Sequence, residues 1–375
     1  LVIIDALNEG LGRNIWPSHL AAFLVRLERS PWIGTVLSVR SSYEELIVPR
    51  EIRDHAISLV HYGFAGHEYD ATRAFFIHYG LELPSTPLLS PEFRNPLFLK
   101  TVCLGLNASN ERRLPRGFLG ITATFDLYLA AIEERLAASL DYNPKSRLVS
   151  GALGKFSRAL VISGNRWLAL RNAMDVVNAL LPGRDDFSRS LYRGMVTETV
   201  LVEDLSFAND TPEDVVHISY ERLADHLMAK SLLDDHFNPD DPKSAFAEDG
   251  PLAFLFDRRQ HVFPGLVEAL CIQIPERAPH ELPSLAPGIK NLWYFGNAYR
   301  QSIVWRAPTA FNHETFEILD GLIHADEDFA ETLDVLITVA SIPGHPFNAQ
   351  FLNTRLRKYS MPERDAWWST YLHHA

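Results

Sequence analysis

Leu1-Val2-Ile3-Ile4-Asp5-Ala6-Leu7-Asn8-Glu9-Gly10 decides how this chain is read: an apolar run passes straight into an acidic turn. A parallel strand sandwiched on both faces reads as an unbroken apolar run, and the turn after it carries two carboxylates, Asp5 and Glu9, to the strand's carboxyl end. Downstream, Ser18 is placed to cap a helix with Leu20, Phe23, Leu24 and Leu27 on one face. Ser30-Pro31 ends that helix, and a second apolar run from Ile33 to Val39 finishes in Arg40. The order is β-α-β with a charged residue at each strand tip. Parallel sheets of this kind take ligands beyond the carboxyl ends of their strands, so Asp5 and Arg40 are expected to face one crevice. The plainer alternatives are a core strand followed by a solvated loop and an exposed Arg at a strand end.

An apolar strand that ends in Asp has the form of a Walker B segment, where the Asp holds Mg²⁺ and a nearby carboxylate can polarise an attacking water. Asp5 is the candidate for Mg²⁺, through water. Glu9 is the candidate for supporting hydrolysis, and Arg40 for sensing a γ-phosphate. The phosphate cradle that such chemistry needs, Gly-x-x-x-x-Gly-Lys-Ser/Thr, is absent from the sequence. Gly154-Lys155 imitates it, but Val149 stands where the first Gly belongs and Phe156 where the hydroxyl belongs, within a helical pattern of Leu153, Phe156 and Leu160. Since the cradle normally precedes the Walker B strand, the chain reads as an internal piece of a longer protein.

The 375 residues are 47% hydrophobic and 22% charged, enough for two or three cores. Two cysteines, Cys103 and Cys271, are too few and too far apart for a disulfide framework or a zinc site, which points to a reducing cytoplasm. No apolar stretch reaches membrane-spanning length. A formal net charge of −12 argues against general nucleic-acid binding by this segment. The terminal His373-His374 pair reads as a frayed end rather than a metal site.

The α/β portion is expected to end near residue 85, where Pro84, Pro87 and Pro91 punctuate the chain before Asn95-Pro96-Leu97-Phe98-Leu99. Phe125, Leu129, Ile132 and Leu136 then keep the spacing of an amphipathic helix. From Lys145 to about Phe237 the pattern gives three helices, a strand pair (Val200 to Glu203 and Val215 to Ser219) around a polar turn, and a closing helix: the order of a winged helix. Beyond residue 245 a proline-rich loop from Pro275 to Gly288 is followed by helical periods at Phe316-Leu319-Ile323 and Phe329-Leu333-Leu336-Ala340, as at the start of an α-solenoid.

Four segments carry a family resemblance: Asp5-Ala6-Leu7-Asn8-Glu9, Val36-Leu37-Ser38-Val39-Arg40, Asn95-Pro96-Leu97-Phe98-Leu99, and the run from Ile218-Ser219-Tyr220 to Ala229. In this order they resemble the extended Walker B, sensor 1, helical-domain and winged-helix motifs of STAND-class NTPases with a NACHT-type module, specifically the bacterial antiviral Avs-like branch. Asn8 stands where many animal members carry a second Asp. Pro96 matches the proline that packs near the adenine, and Tyr220 occupies the position of a His that touches the nucleotide β-phosphate, with His217 nearby as a second candidate. The resemblance implies a mixed α/β, then mainly α chain: the last part of a P-loop NTPase core (1–85), a helical lid (86–144), a winged-helix domain (145–240) and a helical linker opening a sensor region (241–375). It also implies ATP/ADP and Mg²⁺ as cofactors, self-oligomerisation on activation and a phage-protein trigger bound by a sensor beyond this chain. The alternatives from other classes are a scaffold that binds nucleotide without hydrolysing it, and an AAA-type motor with Arg50 or Arg53 as its trans arginine finger.

Overall fold

The computed structural model describes residues 1–8, 12–39, 44, 47–83, 93, 96–108, 112, 120–182, 189–206, 212–256, 263–307, 309–323 and scattered positions beyond. The chain is mostly helical with small sheets. It divides into two compact units, Leu1–Tyr62 with Val202–His217, and Gly63–Leu201 with Ile218–Ala375.

The first unit opens with β1 (Val2–Ile4), α1 (Gly12–Glu28), β2 (Thr35–Leu37) and the short α2 (Arg50–Arg53). β1 and β2 are parallel, with Val2 opposite Thr35, Ile3 opposite Val36 and Ile4 opposite Leu37. Alternate residues therefore share a face. Ile4 and Leu37 turn toward a core of Leu7, Leu20, Ile47 and Val48, joined by Trp16, Leu24 and Leu205. Ile3 and Val36 turn the other way and are 65% and 50% exposed. The expectation of a strand buried on both faces is thus corrected: among the described residues only one face is covered. The helix also begins earlier than the sequence suggested. α1 starts at Gly12, so Ser18 lies within it instead of capping it, and Pro17 sits inside the helix, where its ring removes one backbone N–H without ending the run.

Gly12 is where α1 is pressed against the acidic turn. A Cβ there would lie 2.4 Å from the Leu7 carbonyl oxygen, an approach that only glycine allows.

The second unit runs through α3 (Glu68–His78), α4 (Pro96–Ala108), α5 (Gly120–Leu140), α6 (Leu148–Ser163), the two-residue β3 (Leu168–Ala169), α7 (Leu170–Asn178) and α8 (Leu191–Thr197). There follow β4 (Leu201–Ser206) and β5 (Glu213–Ile218), of which all but Leu201 and Ile218 belong to the first unit, and then α9 (Glu221–His236), α10 (Pro264–Arg277), α11 (Leu282–Leu285), α12 (Phe295–Trp305) and α13 (His313–Ile323). β4 and β5 are hydrogen-bonded neighbours in one sheet. Three helices, a strand pair and a closing helix therefore appear in the order that the periodicity gave, with both strands displaced by a residue or more from their expected bounds.

α5 buries Phe125, Leu129, Ile132 and Leu136, as their spacing requires. Where it meets α6, the buried Glu133 carboxylate accepts from the amides of Leu148 and Val149, both at 2.9 Å, and from the Tyr142 hydroxyl at 2.8 Å. Two orphan donors at the start of α6 are satisfied by a side chain from the preceding helix. α9 packs on α6 and α10, and α10 on α12. α9 buries residues around much of its circumference, Asp225 and His226 among them, as a helix enclosed by neighbours does. The proline-rich stretch after Pro275 is not one loop: α10 continues through Pro275 to Arg277, and α11 and a 3₁₀ turn at Pro287–Asn291 follow. The helix expected around Phe316-Leu319-Ile323 is α13. The one expected at Phe329-Leu333-Leu336-Ala340 lies outside the described residues, except for parts of its surroundings such as Val335 and Val339.

Candidate functional site

The first candidate site is the carboxyl end of the parallel strand pair. The ladder continues past the strands: Ser38 N–H donates to the Ile4 carbonyl at 3.0 Å and Leu7 N–H to the Ser38 carbonyl at 2.9 Å. Between those bonds the backbone reverses at Ala6, whose φ of 54° lies in the left-handed region that a non-glycine residue rarely enters. The Ser38 side chain closes the reversal. Its Oγ accepts from Ala6 N–H at 2.7 Å and donates to Asp5 Oδ1. Asp5 is exposed, and an ionised carboxylate offers about four lone-pair sites, of which Ser38 takes one. The tip therefore presents a carboxylate of fixed orientation. Asn8, by contrast, is buried at 8% exposure.

Glu9 and Arg40, the residues expected to support hydrolysis and to sense the γ-phosphate, lie outside the described residues. Ser38, which orients Asp5, is the side chain at this tip to which the sequence alone gave no role. Its signal was the register itself, since a residue one step beyond Leu37 must lie beside the step beyond Ile4.

Among the described residues no three His, Cys, Asp or Glu side chains gather as a metal site. Mg²⁺ suits a position with one carboxylate because it keeps several waters and takes further oxygens from substrate phosphates. Asp5 fits that limited share of the coordination. The described residues hold no glycine-rich cradle that would supply the phosphate contacts.

The second candidate site lies in the other unit, where two motifs far apart in sequence meet. Pro96 is the first residue of α4, a position that costs no backbone bond. Two residues on, Phe98 is buried, and its ring stacks on that of Tyr220 with centroids 5.5 Å apart and planes at 28°. Phe125 from α5 meets Tyr220 edge-on at 6.0 Å and His226 at 5.2 Å. Tyr220 itself takes the N-cap position of α9 without capping it. Next to it, the Ser219 side chain hydrogen-bonds Tyr128, whose hydroxyl is pushed up to about 12 chiefly by burial. The β5–α9 turn is thus seated on α4 and α5.

The same helix carries a buried polar pair. Burial pushes Asp225 up to about 6, against the pull of Arg166, which reaches it at 2.9 Å. Arg166 also lies over the Phe263 ring at 4.2 Å. His226 is wholly enclosed, and burial first, then Lys230 and Arg277, holds it near 3, so its imidazole is neutral. The Gln273 amide donates to the His226 carbonyl at 2.8 Å.

His217 lies on β5 and faces Asp204 of β4 at 3.6 Å, both in the first unit. The proposed nucleotide ligands are therefore divided: Asp5 and His217 belong to one unit, Pro96 and Tyr220 to the other. Cys103 and Cys271 are free and buried. Among the described residues no helix is long and apolar enough to cross a membrane.

Neither a protein-family model nor a curated protein matches this chain.

Proposed function

We propose that the chain is part of a nucleotide-dependent signalling ATPase of the STAND class, acting in bacterial antiviral defence in a reducing cytoplasm. The observation that carries this reading is the parallel β1–β2 pair with the Asp5 carboxylate fixed at its carboxyl end by Ser38. When bound, ATP with Mg²⁺ would supply the phosphoryl group and much of the metal's coordination. Asp5 would hold the metal through water, Glu9 would orient the attacking water, and Arg40 would read the γ-phosphate. Pro96 would pack beside the base. ATP and ADP would favour different arrangements of the chain, one of them oligomeric, and a phage protein bound elsewhere in the polypeptide would bias the exchange. The assignment of residues 1–85, 86–144, 145–240 and 241–375 to core, lid, winged helix and linker is part of this proposal.

The uncovered face of the strand pair supports it. Parallel sheets in globular proteins are covered on both sides, yet Ile3 and Val36 stand open, and the stretch after α2 leaves Ile57 at 93% and Leu59 at 89% exposure. Apolar surface of this kind is what further polypeptide carrying the phosphate cradle would bury.

The first test is the coding sequence immediately upstream, which should specify a glycine-rich loop ending in Lys-Ser/Thr. Its absence would overturn the reading. In a polypeptide that includes the loop, Glu9→Gln should abolish hydrolysis and leave nucleotide-dependent oligomerisation intact. Unchanged hydrolysis would remove Glu9 from the reaction, and nucleotide binding without turnover in the wild type would favour the non-hydrolysing scaffold. For the motor reading, Arg50 is exposed and pairs with Asp54 at 3.6 Å, an arrangement that gives it no distinguishing support.

A further inference from the structure

We propose that the cavity at the start of α12 binds a small aromatic anion: a planar apolar ring system lies against Trp293 and turns a carboxylate or phosphate toward Lys290, Arg300 and the first turn of the helix. The proposal goes beyond the ATPase reading, since none of the residues assigned to nucleotide lines this cavity.

The cavity has a volume of about 940 Å³, near the upper end of the roughly 300–1,000 Å³ typical of small-molecule sites. It lies wholly within the second unit, walled by the end of the 3₁₀ turn at Pro287–Asn291, the start of α12 and one face of α13. Trp293 lines it and is 91% exposed, with the Tyr294 ring edge-on at 5.5 Å. A ring that large, open to water beside a concave wall, offers a stacking surface to a flat apolar group.

The polar groups on the α12 side are positive. Lys290 is exposed and enters no ion pair among the described residues, and the buried Arg300 side chain brings a second cation to the wall. In the first turn of α12, Phe295 N–H donates to the Leu292 carbonyl and Ala298 N–H to that of Tyr294, both at 3.0 Å. Gly296 and Asn297 lie between them and line the cavity, and their amides have no backbone acceptor among the described residues. Such amides favour negative charge and add to the two cations. Two carboxylates on α13 also reach the cavity, and they differ. Glu314 is turned to the segment before it, with Oε1 at 3.2 Å from His280 Nδ1 and Oε2 accepting from Glu281 N–H at 2.9 Å. Glu317 is exposed and opposes an anion, which fixes the sign of its test.

Isothermal titration of the full 375-residue chain with naphthyl phosphate and naphthoate tests this, with naphthylmethylamine and inorganic phosphate as controls. At least one aromatic anion should bind saturably and about tenfold or more tighter than either control, and the better of the two identifies the head group. Trp293→Ala and Lys290→Glu should each weaken that binding about tenfold, whereas Glu317→Gln should strengthen it about twofold. All three side chains are exposed, so the substitutions leave the core intact. Failure of both anions to saturate, equal binding of the amine, or an affinity untouched by Trp293→Ala and Lys290→Glu would overturn the proposal. So would weaker binding in Glu317→Gln. No nucleotide enters the titration, so its outcome is separate from that of the ATPase reading.

Discussion

The Asp225 carboxylate occupies the space that a side chain at Gly265 would need: a Cβ on Gly265 would lie 2.0 Å from Asp225 Oδ2. Gly265 is the second residue of α10, so the absence of its side chain lets a buried carboxylate from α9 close on the start of the neighbouring helix. Gly265→Ala should therefore displace Asp225 from Arg166 and cost about 2–4 kcal/mol of stability. Urea denaturation measures it, and a loss below about 0.5 kcal/mol, the range of neutral surface changes, would show that the contact does not constrain the two helices.

Asp225 also gives the fold a pH dependence of definite sign. Burial is the largest influence and raises its pKa from 3.8 to about 6, with Arg166 and Arg222 opposing it and Glu221 assisting. The folded form therefore holds the proton more tightly than the unfolded chain does. The stability gained from that proton is fully present below the unfolded value and is lost as pH rises through about 6. Relative to Asp225→Asn, which does not titrate, the wild type should lose up to about 3 kcal/mol between pH 3.5 and pH 7. Paired denaturation curves at the two pH values check this. A difference that is flat, or of opposite sign, would place the proton elsewhere.

Neither of these relations was legible in the sequence, and the reason is physical. The β-α-β order followed from local signals: apolar runs, a helical period and a Ser-Pro stop all lie within forty residues of one another. The buried face of α5 followed in the same way from Phe125, Leu129, Ile132 and Leu136. The start of α1 did not, because Ser18 reads as a cap, whereas the helix begins at Gly12, packed against the Leu7 carbonyl in a relation that apolar periodicity does not report. The seat of Tyr220 on Phe98 joins residues more than a hundred positions apart, and periodicity within either segment cannot report such a pairing. In the same way, burial of one sheet face could be read from the strand's apolarity, whereas the exposure of Ile3 and Val36 depends on what packs against them.

Glu133 offers a test of the joint between α5 and α6. Its carboxylate accepts three hydrogen bonds, two from backbone amides that have no intrahelical partner. Glu133→Leu should strand both amides and cost about 2–4 kcal/mol, whereas Tyr142→Phe removes one donor and should cost about 1 kcal/mol. Thermal and chemical melts of the two variants rank them, and equal effects would contradict the assignment of the amides as the main beneficiaries.

Arg306 and Glu281 form a pair whose side chains are both fully buried, with Nη1 at 2.6 Å from Oε1. The Thr315 hydroxyl donates to the same carboxylate oxygen, and Arg306 Nη2 donates to Ser302 Oγ at 3.1 Å. Removing one charge leaves the other desolvated, so Arg306→Met alone should cost about 3–5 kcal/mol. The double variant Arg306→Met with Glu281→Leu should recover most of that loss, because apolar groups of similar volume need no compensation. A double-mutant cycle measures the coupling, and additive losses would mean that each side chain acts independently.

At the strand tip the decisive substitution is Ser38→Ala. The hydroxyl satisfies Ala6 N–H and orients Asp5 at once, so its removal deprives a left-handed residue of its acceptor and frees the carboxylate to rotate. The stability cost should be modest, about 1–2 kcal/mol, because both groups are near solvent and water can replace part of what is lost. Under the proposed function the cost to activity should be larger, because a metal-bound phosphate would have to be met by a carboxylate already in place. In a polypeptide able to bind nucleotide, Ser38→Ala should lower the hydrolysis rate about tenfold or more with nucleotide affinity nearly unchanged, and Ser38→Thr, which keeps the hydroxyl, should restore most of it. Equal loss in both variants would show that the space at residue 38, not its hydrogen bond to Asp5, is what the site requires.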